Sequence, residues 1–352
     1  MKTATPATAR AINDRLVLDL LLERGPLTAP QLREFTGLSR PTVSDLIERL
    51  RDGGLIEVAG ECGENRRGPN ARLFGIVAGR AHVAGVDVRR TAVNVTVADI
   101  TGRTVGSAVR DIPGSGGGSA PPGSGGTPGL SALIGSAVAE AAAGRVLDTV
   151  VLGAPGLVDP RHGDLVAPND VPGWEPGLLQ TVRRDLGVPV TMENEVNLAA
   201  VTEHRTGAAT GRDDFVLLWL DDGLGSALVL DGRVRRGASG GAGEVGILRT
   251  AGGSLCDLVV ADVLRDLGRD DAAGRIAACA FALVAILDPG LVVLGGSIGR
   301  EGGDDLAELV EGRLRDLSPA PTEVRASTVE GNAVLQGAVL TALDLTRDRI
   351  FG

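Results

Sequence analysis

The residues with the clearest chemical potential lie in one short stretch, 38–50, where small polar and basic side chains are concentrated. The polar side of this stretch consists of Ser39, Arg40, Pro41, Thr42, Ser44, Asp45 and Arg49. Short polar groups at the start of a helix suit the floor of a DNA major groove, and the helix N-terminus attracts phosphate. The stretch therefore predicts a DNA-reading helix, with an ordinary amphipathic surface helix as the alternative.

The opposite side of the same stretch indicates how such a helix would be held. Its apolar residues recur at helical spacing and form one stripe: Leu38, Val43, Leu46, Ile47 and Leu50. Ser39 is a good N-cap, and Pro41 falls in the first turn, where its missing N–H costs nothing. Gly53 and Gly54 end the helix, so the pattern predicts an element with one buried and one exposed face.

Two further helices are predicted upstream, over 10–24 and 29–35. Thr28 is placed to cap the second of them, and Gly37 makes a tight turn into the reading helix. Three helices with a short glycine turn before the last are typical of a helix-turn-helix. We therefore add Thr28 to the candidate DNA contacts.

A predicted hairpin follows, formed by 55–58 and 71–74. The segment between these strands carries Arg66 and Arg67. A hairpin in this position would be a wing whose arginines reach phosphates or a minor groove. A merely solvated basic loop is the alternative interpretation.

Composition limits the class of protein. The net charge of −10 argues against a general nucleic-acid coat, but residues 1–80 carry +2 and the remainder −12. The cysteines Cys62, Cys256 and Cys279 have no spacing typical of a disulfide framework or a zinc site. The sequence has no apolar run of membrane-spanning length and no signal-peptide pattern, so we expect a cytoplasmic protein that does not contact membranes.

The sequence pattern of the rest of the chain is typical of a duplicated α/β protein. Strand meanders are predicted over 82–112 and again over 215–236, each followed by alternating helices and strands. The predicted domains are therefore a mainly α winged helix-turn-helix over 1–78 and an α/β body over 79–352. The body divides into lobes at about 79–190 plus the C-terminal helix and about 191–330, with a flexible Gly/Ser/Pro loop over 113–129.

Several segments of the body resemble a known family. They are Gly85-Val86-Asp87-Val88, the run 153–159 (Gly-Ala-Pro-Gly-Leu-Val-Asp), the run 167–174 (Ala-Pro-Asn-Asp-Val-Pro-Gly-Trp), Glu193-Asn194-Glu195-Val196-Asn197 and the glycine-rich run 236–246. Together they are similar to motifs of the ROK family of repressors and sugar kinases, and specifically of its winged-helix transcriptional regulators. The resemblance implies an actin-like (ribonuclease H-like, duplicated) sugar-kinase fold behind the winged helix.

The positions that serve catalysis in the family's kinases are altered here. Arg89-Arg90-Thr91 stands in place of Gly-Gly-Thr, and Asp221-Asp222-Gly223 in place of Gly-Thr-Gly. Bulky side chains replace glycines that let backbone approach phosphate, and a carboxylate repels triphosphate. Glu195 occupies the family's catalytic aspartate position as a vestigial base. We therefore expect no enzyme and no cofactor.

The family's zinc site is also altered. Its metal-binding histidine aligns with Ile247, and its cysteine loop is shortened to leave Cys256 alone. One cysteine cannot hold zinc, which takes four ligands, so we expect no metal and a buried apolar thiol at Cys256.

The resemblance leaves four polar residues suited to sugar hydroxyls: Asn169, Asn194, Glu195 and Glu244. They form the predicted ligand site, although they could instead only hold loops together. Arg89 and Arg90 could clamp a phosphorylated ligand, or could form salt bridges with nearby aspartates.

These features predict a repressor of carbohydrate-related genes. Its partners would be a double-stranded DNA operator and a sugar or sugar-derivative effector in the cleft. A homodimer or homotetramer is expected, because one short helix reads too few bases. The alternatives are an ATP-dependent sugar kinase and a DNA-binding regulator that responds to no ligand.

Overall fold

The structure is a computed structural model that describes residues 6–62, 71–113, 129–166, 169–250 and 253–352. The predicted wing arginines Arg66 and Arg67 lie outside the described residues, as does the predicted flexible loop apart from residues 113 and 129. Within the described ranges, no helix is both long and apolar enough to cross a membrane.

The N-terminal head contains three helices and a three-stranded antiparallel sheet of order β1-β3-β2. Its elements are α1 (Pro6–Arg24), β1 (Leu27–Thr28), α2 (Ala29–Thr36), α3 (Arg40–Asp52), β2 (Ile56–Cys62) and β3 (Ala71–Ile76). The short strand β1 had no counterpart among the predicted elements. The winged helix-turn-helix fold predicted for this region is confirmed.

Local chemistry explains where the head's helices begin and turn. Thr28 and Gln31 form a capping box at the start of α2, and Ser39 caps α3. Gly37 has φ 69°, a left-handed conformation that glycine adopts without strain, and it lets the chain turn between the two helices. Val43 and Leu46 are fully buried in the head's core, as the apolar stripe predicted.

The first lobe of the body is a five-stranded sheet of order β6-β5-β4-β7-β8. Its elements are β4 (His82–Val88), β5 (Ala92–Asp99), β6 (Thr104–Asp111), α4 (Leu130–Ala142), β7 (Thr149–Ala154), α5 (Leu178–Leu186) and β8 (Val190–Asn194). Strands β4, β5 and β6 form an antiparallel meander, whereas β7 and β8 extend the sheet in parallel from β4. Helix α6 (Glu195–Thr206) leads out of this lobe.

The second lobe repeats this plan in the order β11-β10-β9-β14-β15. Its strands are β9 (Phe215–Leu220), β10 (Leu224–Leu230), β11 (Arg233–Val234), β12 (Arg249–Thr250), β13 (Gly253–Ser254), β14 (Leu291–Gly295) and β15 (Glu323–Ala326), of which β12 and β13 form a separate two-stranded sheet. Its helices are α7 (Leu255–Val259), α8 (Ala261–Arg265), α9 (Arg269–Leu287) and α10 (Gly296–Leu317). An antiparallel meander extended by parallel strands therefore occurs twice, and the predicted duplicated α/β fold is confirmed.

Several predicted boundaries shift by a few residues. The strand predicted over 146–152 begins at Thr149, because pairing with β4 begins there. Val146 is 82% exposed and lies before it. The strand predicted over 188–192 runs from Val190 to Asn194, which places Asn194 at the edge where α6 begins.

The last helix, α11 (Ala333–Phe351), connects the body to the head. It packs on β4, β7 and α6, and it reaches α1. Gly337 makes the packing on α6 possible, since a Cβ there would lie 1.9 Å from the Leu198 carbonyl oxygen. Phe351 is buried in the head's hydrophobic cluster together with Ala81 and Ile100, so head and body share part of one core.

Candidate DNA-reading face and ligand cleft

The outward face of α3 presents most of the residues predicted to contact DNA. Arg40, Pro41, Ser44 and Asp45 are exposed, and Thr42 is partly exposed. Neither Arg40 nor Ser44 has a hydrogen-bond partner for its side chain in the part of the chain that the structure describes. These side chains are therefore available to an external partner.

Two predicted contacts on this face also serve the cap of α3. The Ser39 hydroxyl accepts a hydrogen bond from the Thr42 amide at 3.4 Å, and the two hydroxyls lie 2.8 Å apart. The cap fixes these hydroxyls beside the positive end of the helix, where an anion is stabilised.

Thr28 and Arg49, both among the predicted DNA contacts, have partners within the head. Thr28 is only 6% exposed, and its hydroxyl donates to the Gln31 side chain at 2.9 Å, in line with its predicted capping of α2. Arg49 donates from Nη2 and Nε to the Asp14 carboxylate at 2.5 and 3.1 Å, and this hydrogen bonding raises the Arg49 pKa. The burial of Thr28 argues against its predicted DNA contact, whereas Arg49 braces α3 against α1 with a side chain that is still 40% exposed.

A cavity of about 670 Å³ lies between the two lobes of the body. The first lobe and the start of α6 contribute Arg89, Arg90 and Glu195 to its wall, and the second lobe contributes Asp221, Asp222, Glu244 and Trp219. The size is typical of a small-molecule site. The fold therefore brings the altered loop positions and three of the four predicted ligand residues, Asn194, Glu195 and Glu244, to one cleft.

Glu195 and Glu244 are two buried or half-buried carboxyls of this cleft. Neither has a hydrogen-bond partner among the residues described. Burial raises the pKa of Glu195 to about 7, against the opposing effect of the Arg89 charge. Burial also raises the pKa of Glu244. Both can accept hydrogen bonds from ligand hydroxyls, and Glu195 can also exchange a proton near neutral pH.

The two predicted asparagines are occupied by backbone contacts. Asn194 accepts from the amides of Val196 and Asn197 at 2.9 and 3.0 Å, and it donates to the Gly156 carbonyl at 3.0 Å. Asn169 donates to the Pro155 carbonyl at 3.3 Å and accepts from the Val171 amide at 3.1 Å. Asn194 lines the cavity, whereas Asn169 does not.

The two arginines in the phosphate-loop position form salt bridges within the first lobe. Arg89 Nε lies 2.8 Å from Asp87 Oδ2, and Arg90 Nη1 lies 2.8 Å from Asp170 Oδ2. In the second lobe, Asp221 accepts a hydrogen bond from Ser297 at 2.9 Å. These contacts favour the salt-bridge alternative over a phosphate clamp.

An ion pair between a buried carboxylate and a half-exposed arginine, which the sequence did not reveal, links the two lobes. Glu193, 8% exposed at its side chain, accepts from Arg236 Nε at 2.5 Å and from Asn197 Nδ2 at 2.9 Å. It ties the glycine-rich run that leads to Glu244 to the end of β8. The charged residue next to the apolar Met192 in β8 was the available signal.

The altered zinc region shows no metal-ligating set. Ile247 is 74% exposed, and Cys256 is a partly buried free thiol. Across the described ranges, no group of three or more His, Cys, Asp or Glu residues is arranged to hold a metal ion. Cys256 was predicted to be buried and is only partly so, whereas Cys279 is fully buried, which raises its thiol pKa to about 12.

Two known families match separate parts of the chain. A ROK family model matches residues 83–257, and a MarR family model matches residues 12–68. The xylose repressor of Bacillus subtilis is 26% identical over 248 residues, which cover 70% of this chain and 62% of the repressor. A glucokinase of Streptomyces coelicolor is 32% identical over 124 residues, 35% of this chain and 39% of that enzyme. The chain thus spans less than two thirds of the length of these relatives.

Solved structures support the same architecture. A ROK family transcriptional regulator described as a homologue of the E. coli MLC protein matches with a TM-score of 0.72 at 16% identity, covering 97% of this chain and 99% of that one. A ROK hexokinase from Thermus thermophilus matches with a TM-score of 0.61 at 28% identity, covering 76% of this chain and 99% of the hexokinase. The chain therefore carries a ROK family domain, with a MarR-type winged helix-turn-helix domain ahead of it.

Proposed function

We propose that this protein is a DNA-binding transcriptional repressor of carbohydrate-related genes whose operator affinity depends on a sugar or sugar derivative in the cleft. The observation that carries the proposal is the outward face of α3, where the Arg40 and Ser44 side chains have no hydrogen-bond partner among the described residues. An exposed, unpaired arginine at the N-terminus of such a helix suits guanine in the major groove. The exposed Asp45 carboxylate suits the amino group of cytosine.

The charges in the cleft make a repressor a better proposal than a kinase. A kinase holds nucleotide phosphates with backbone amides and a magnesium ion. Here Arg89 occupies one phosphate-loop position, and Asp221 and Asp222 occupy the other. Their side chains stand where the backbone would approach phosphate, and the aspartates repel its charge. We therefore propose that the body has no catalytic activity and needs neither cofactor nor metal.

The cleft retains features that suit a sugar. Glu195 and Glu244 can accept hydrogen bonds from hydroxyls, and Trp219 offers an apolar ring in the same cavity. Relatives named as xylose repressors make D-xylose the first effector to test. Two or four copies of the chain would place paired heads on operator half-sites, and a DNA partner implies action in the cytoplasm.

The test is a fluorescence-anisotropy titration of the purified protein with duplex DNA from upstream of its own gene, against a scrambled duplex. We expect salt-dependent binding that favours the upstream duplex and changes when D-xylose, D-glucose or another pentose or hexose is added. An ATP-consumption assay with the same sugars tests the kinase alternative. Turnover that is lost in Glu195→Gln, without preference for the upstream DNA, would refute the repressor.

A further inference from the structure

Helix α11 runs from beside Asp87, the partner of the cleft-lining Arg89, to the DNA-binding head. Its 19 residues span about 28 Å at 1.5 Å per residue. One end lies beside Asp87 in the first lobe, and the other end is buried in the head's core. A single helix therefore links the proposed ligand site to the element that would contact DNA.

The cleft end of α11 is fixed by a buried charge. Asn332 caps the helix, accepting from the Leu335 amide at 2.9 Å, and its Nδ2 donates to Asp87 Oδ2 at 2.7 Å. The same Asp87 oxygen accepts from Arg89 Nε at 2.8 Å. Asp87 is fully buried, and its other oxygen has no partner within the described structure. Arg89 and Asn332 are therefore the groups that satisfy this carboxylate.

Arg89 also faces the cavity. Its side chain is about one third exposed, and the charges of Glu195 and Asp221 act on it together with Asp87. A ligand in the cavity that accepts a hydrogen bond from Arg89 competes with Asp87 for its guanidinium group. Arg89 is thus the point where an event in the cleft can reach the buried end of α11.

The head end of α11 is held by several independent contacts. Phe351 is 5% exposed within the head's hydrophobic cluster, and Asp348 accepts from Arg15 of α1 at 2.8 Å. Arg347 donates to the Ile100 carbonyl at 2.8 and 3.1 Å. A displacement of the helix must therefore move α1 or break these contacts.

Helix α11 packs closely against the backbone of its neighbours. A Cβ at Gly85 of β4 would lie 2.8 Å from the Val339 amide nitrogen, just as one at Gly337 would overlap α6. Backbone in contact with backbone transmits a displacement without an intervening layer of adaptable side chains. Strand β4, which carries Asp87, is therefore in direct backbone contact with α11. Helix α6, which begins at Glu195, is in direct backbone contact with it too.

We propose that Arg89 is a positioning residue for the DNA-binding head. Its ion pair with Asp87 sets the cleft end of α11, and α11 sets the orientation of α1 and the helices packed on it. A ligand that changes the Arg89–Asp87 pairing changes operator affinity by this route. The inference rests on the proposed function for its readout on DNA, and its structural part can be measured without DNA.

The experiment compares Arg89→Ala with Arg110→Ala. Arg110 also pairs with a carboxylate of the first lobe, Glu140, but contacts neither the cavity nor α11 nor the head. Operator affinity is measured by anisotropy, and amide hydrogen exchange is followed in α1, α3 and α11, with α9 as the internal reference. We expect Arg89→Ala to weaken operator binding about tenfold and to speed exchange at α11 and α1 but not at α9. Arg110→Ala should leave both unchanged.

A second variant separates positioning from loss of folding. Asp87→Asn combined with Arg89→Ala removes the uncompensated charge, so the protein should unfold at nearly the wild-type temperature. The helix should still lack its ion pair, and operator binding should remain weakened.

The outcomes identify which idea fails. If folded Arg89→Ala and the double variant bind the operator as the wild type does, with unchanged exchange in the head, the positioning role of Arg89 is refuted. Faster exchange spread equally over α9 and the head also refutes it, because that indicates general destabilisation. If the wild type does not bind the operator but exchange in the head still responds to Arg89→Ala, the positioning role of Arg89 is supported and the proposed function is refuted.

Discussion

Arg40 of the head and two arginines of the body, Arg89 and Arg236, have opposite environments. Arg40 on α3 is exposed and its side chain makes no hydrogen bond or ion pair within the described chain, whereas Arg89 and Arg236 each pair with a buried carboxylate of the first lobe. An unpaired arginine contributes little to folding but can form new bonds with a partner. A paired arginine stabilises the fold and must give up a bond before it can bind anything else. The exposed arginine of α3 is therefore suited to bind an external partner, whereas the paired arginines of the body stabilise the fold.

The largest effect on stability is expected for a paired arginine of the body. Arg236→Ala leaves the buried Glu193 carboxylate without its cation, and because Arg236 is itself half-exposed we expect a loss of about 2–3 kcal/mol in the free energy of unfolding. Urea denaturation at pH 7 measures it. Arg235→Ala is the matched control, because its pair with Asp231 is exposed and worth less than about 1 kcal/mol. Equal effects of the two substitutions would contradict the distinction.

The second prediction concerns the external side. Arg40→Ala should leave the free energy of unfolding unchanged but weaken specific operator binding by about 1–3 kcal/mol if the side chain reads a base. Arg49→Ala, on the same helix, should change binding less, since Arg49 is already paired with Asp14. Parallel gel-shift titrations of both variants decide it. An unchanged titration for Arg40→Ala would remove Arg40 from the interface.

The third prediction concerns the pH dependence of stability that is due to Glu195, a cleft carboxyl without a hydrogen-bond partner among the described residues. Burial raises its pKa to about 7 from an ordinary 4.5, so the folded protein holds this proton more tightly than the unfolded chain does. The contribution to stability is therefore complete below pH 4.5 and is lost as the pH rises through about 7. Between pH 5 and 8, the wild type should lose about 1–2 kcal/mol relative to Glu195→Gln, the partial exposure of the side chain reducing the effect. Denaturation curves that shift in parallel with pH would exclude such a proton.

The smallest effect is expected at Thr28. Because its hydroxyl completes the capping box of α2, Thr28→Ala should cost about 1 kcal/mol of stability. Operator affinity per folded molecule should not change, because the side chain is buried. Thermal unfolding and anisotropy measured on the same preparation check both parts. Weaker binding without a change in stability would restore Thr28 as a DNA contact.

The sequence was most informative where structure depends on near neighbours. Spacing of apolar residues, together with Ser39, Gly37 and Pro41, located α3 to within about two residues. Repetition of the strand meander indicated the duplicated body before any pairing was known. These features follow from residues a few positions apart, which a single sequence displays.

The sequence was least informative where the partner is distant along the chain. Asp14 and Arg49 are separated by 35 positions, and Asp87 and Asn332 by 245, so no local pattern links them. Asn169 and Asn194 were predicted with Glu195 as one ligand set, yet their amides bind backbone while the carboxyl remains unpartnered. Which polar group stays available depends on the loops that fold against it, and residue type alone does not contain that information.

The hydrophobic cluster shared by Ala81, Ile100 and Phe351 makes the head an extension of the first lobe. A head attached in this way cannot swivel to follow DNA sites at variable separation. In the proposed dimer, the distance and helical phase between the two recognition helices would then be properties of the body. An operator with five base pairs inserted between its half-sites, which turns one site to the opposite side of the duplex, should lose cooperative binding.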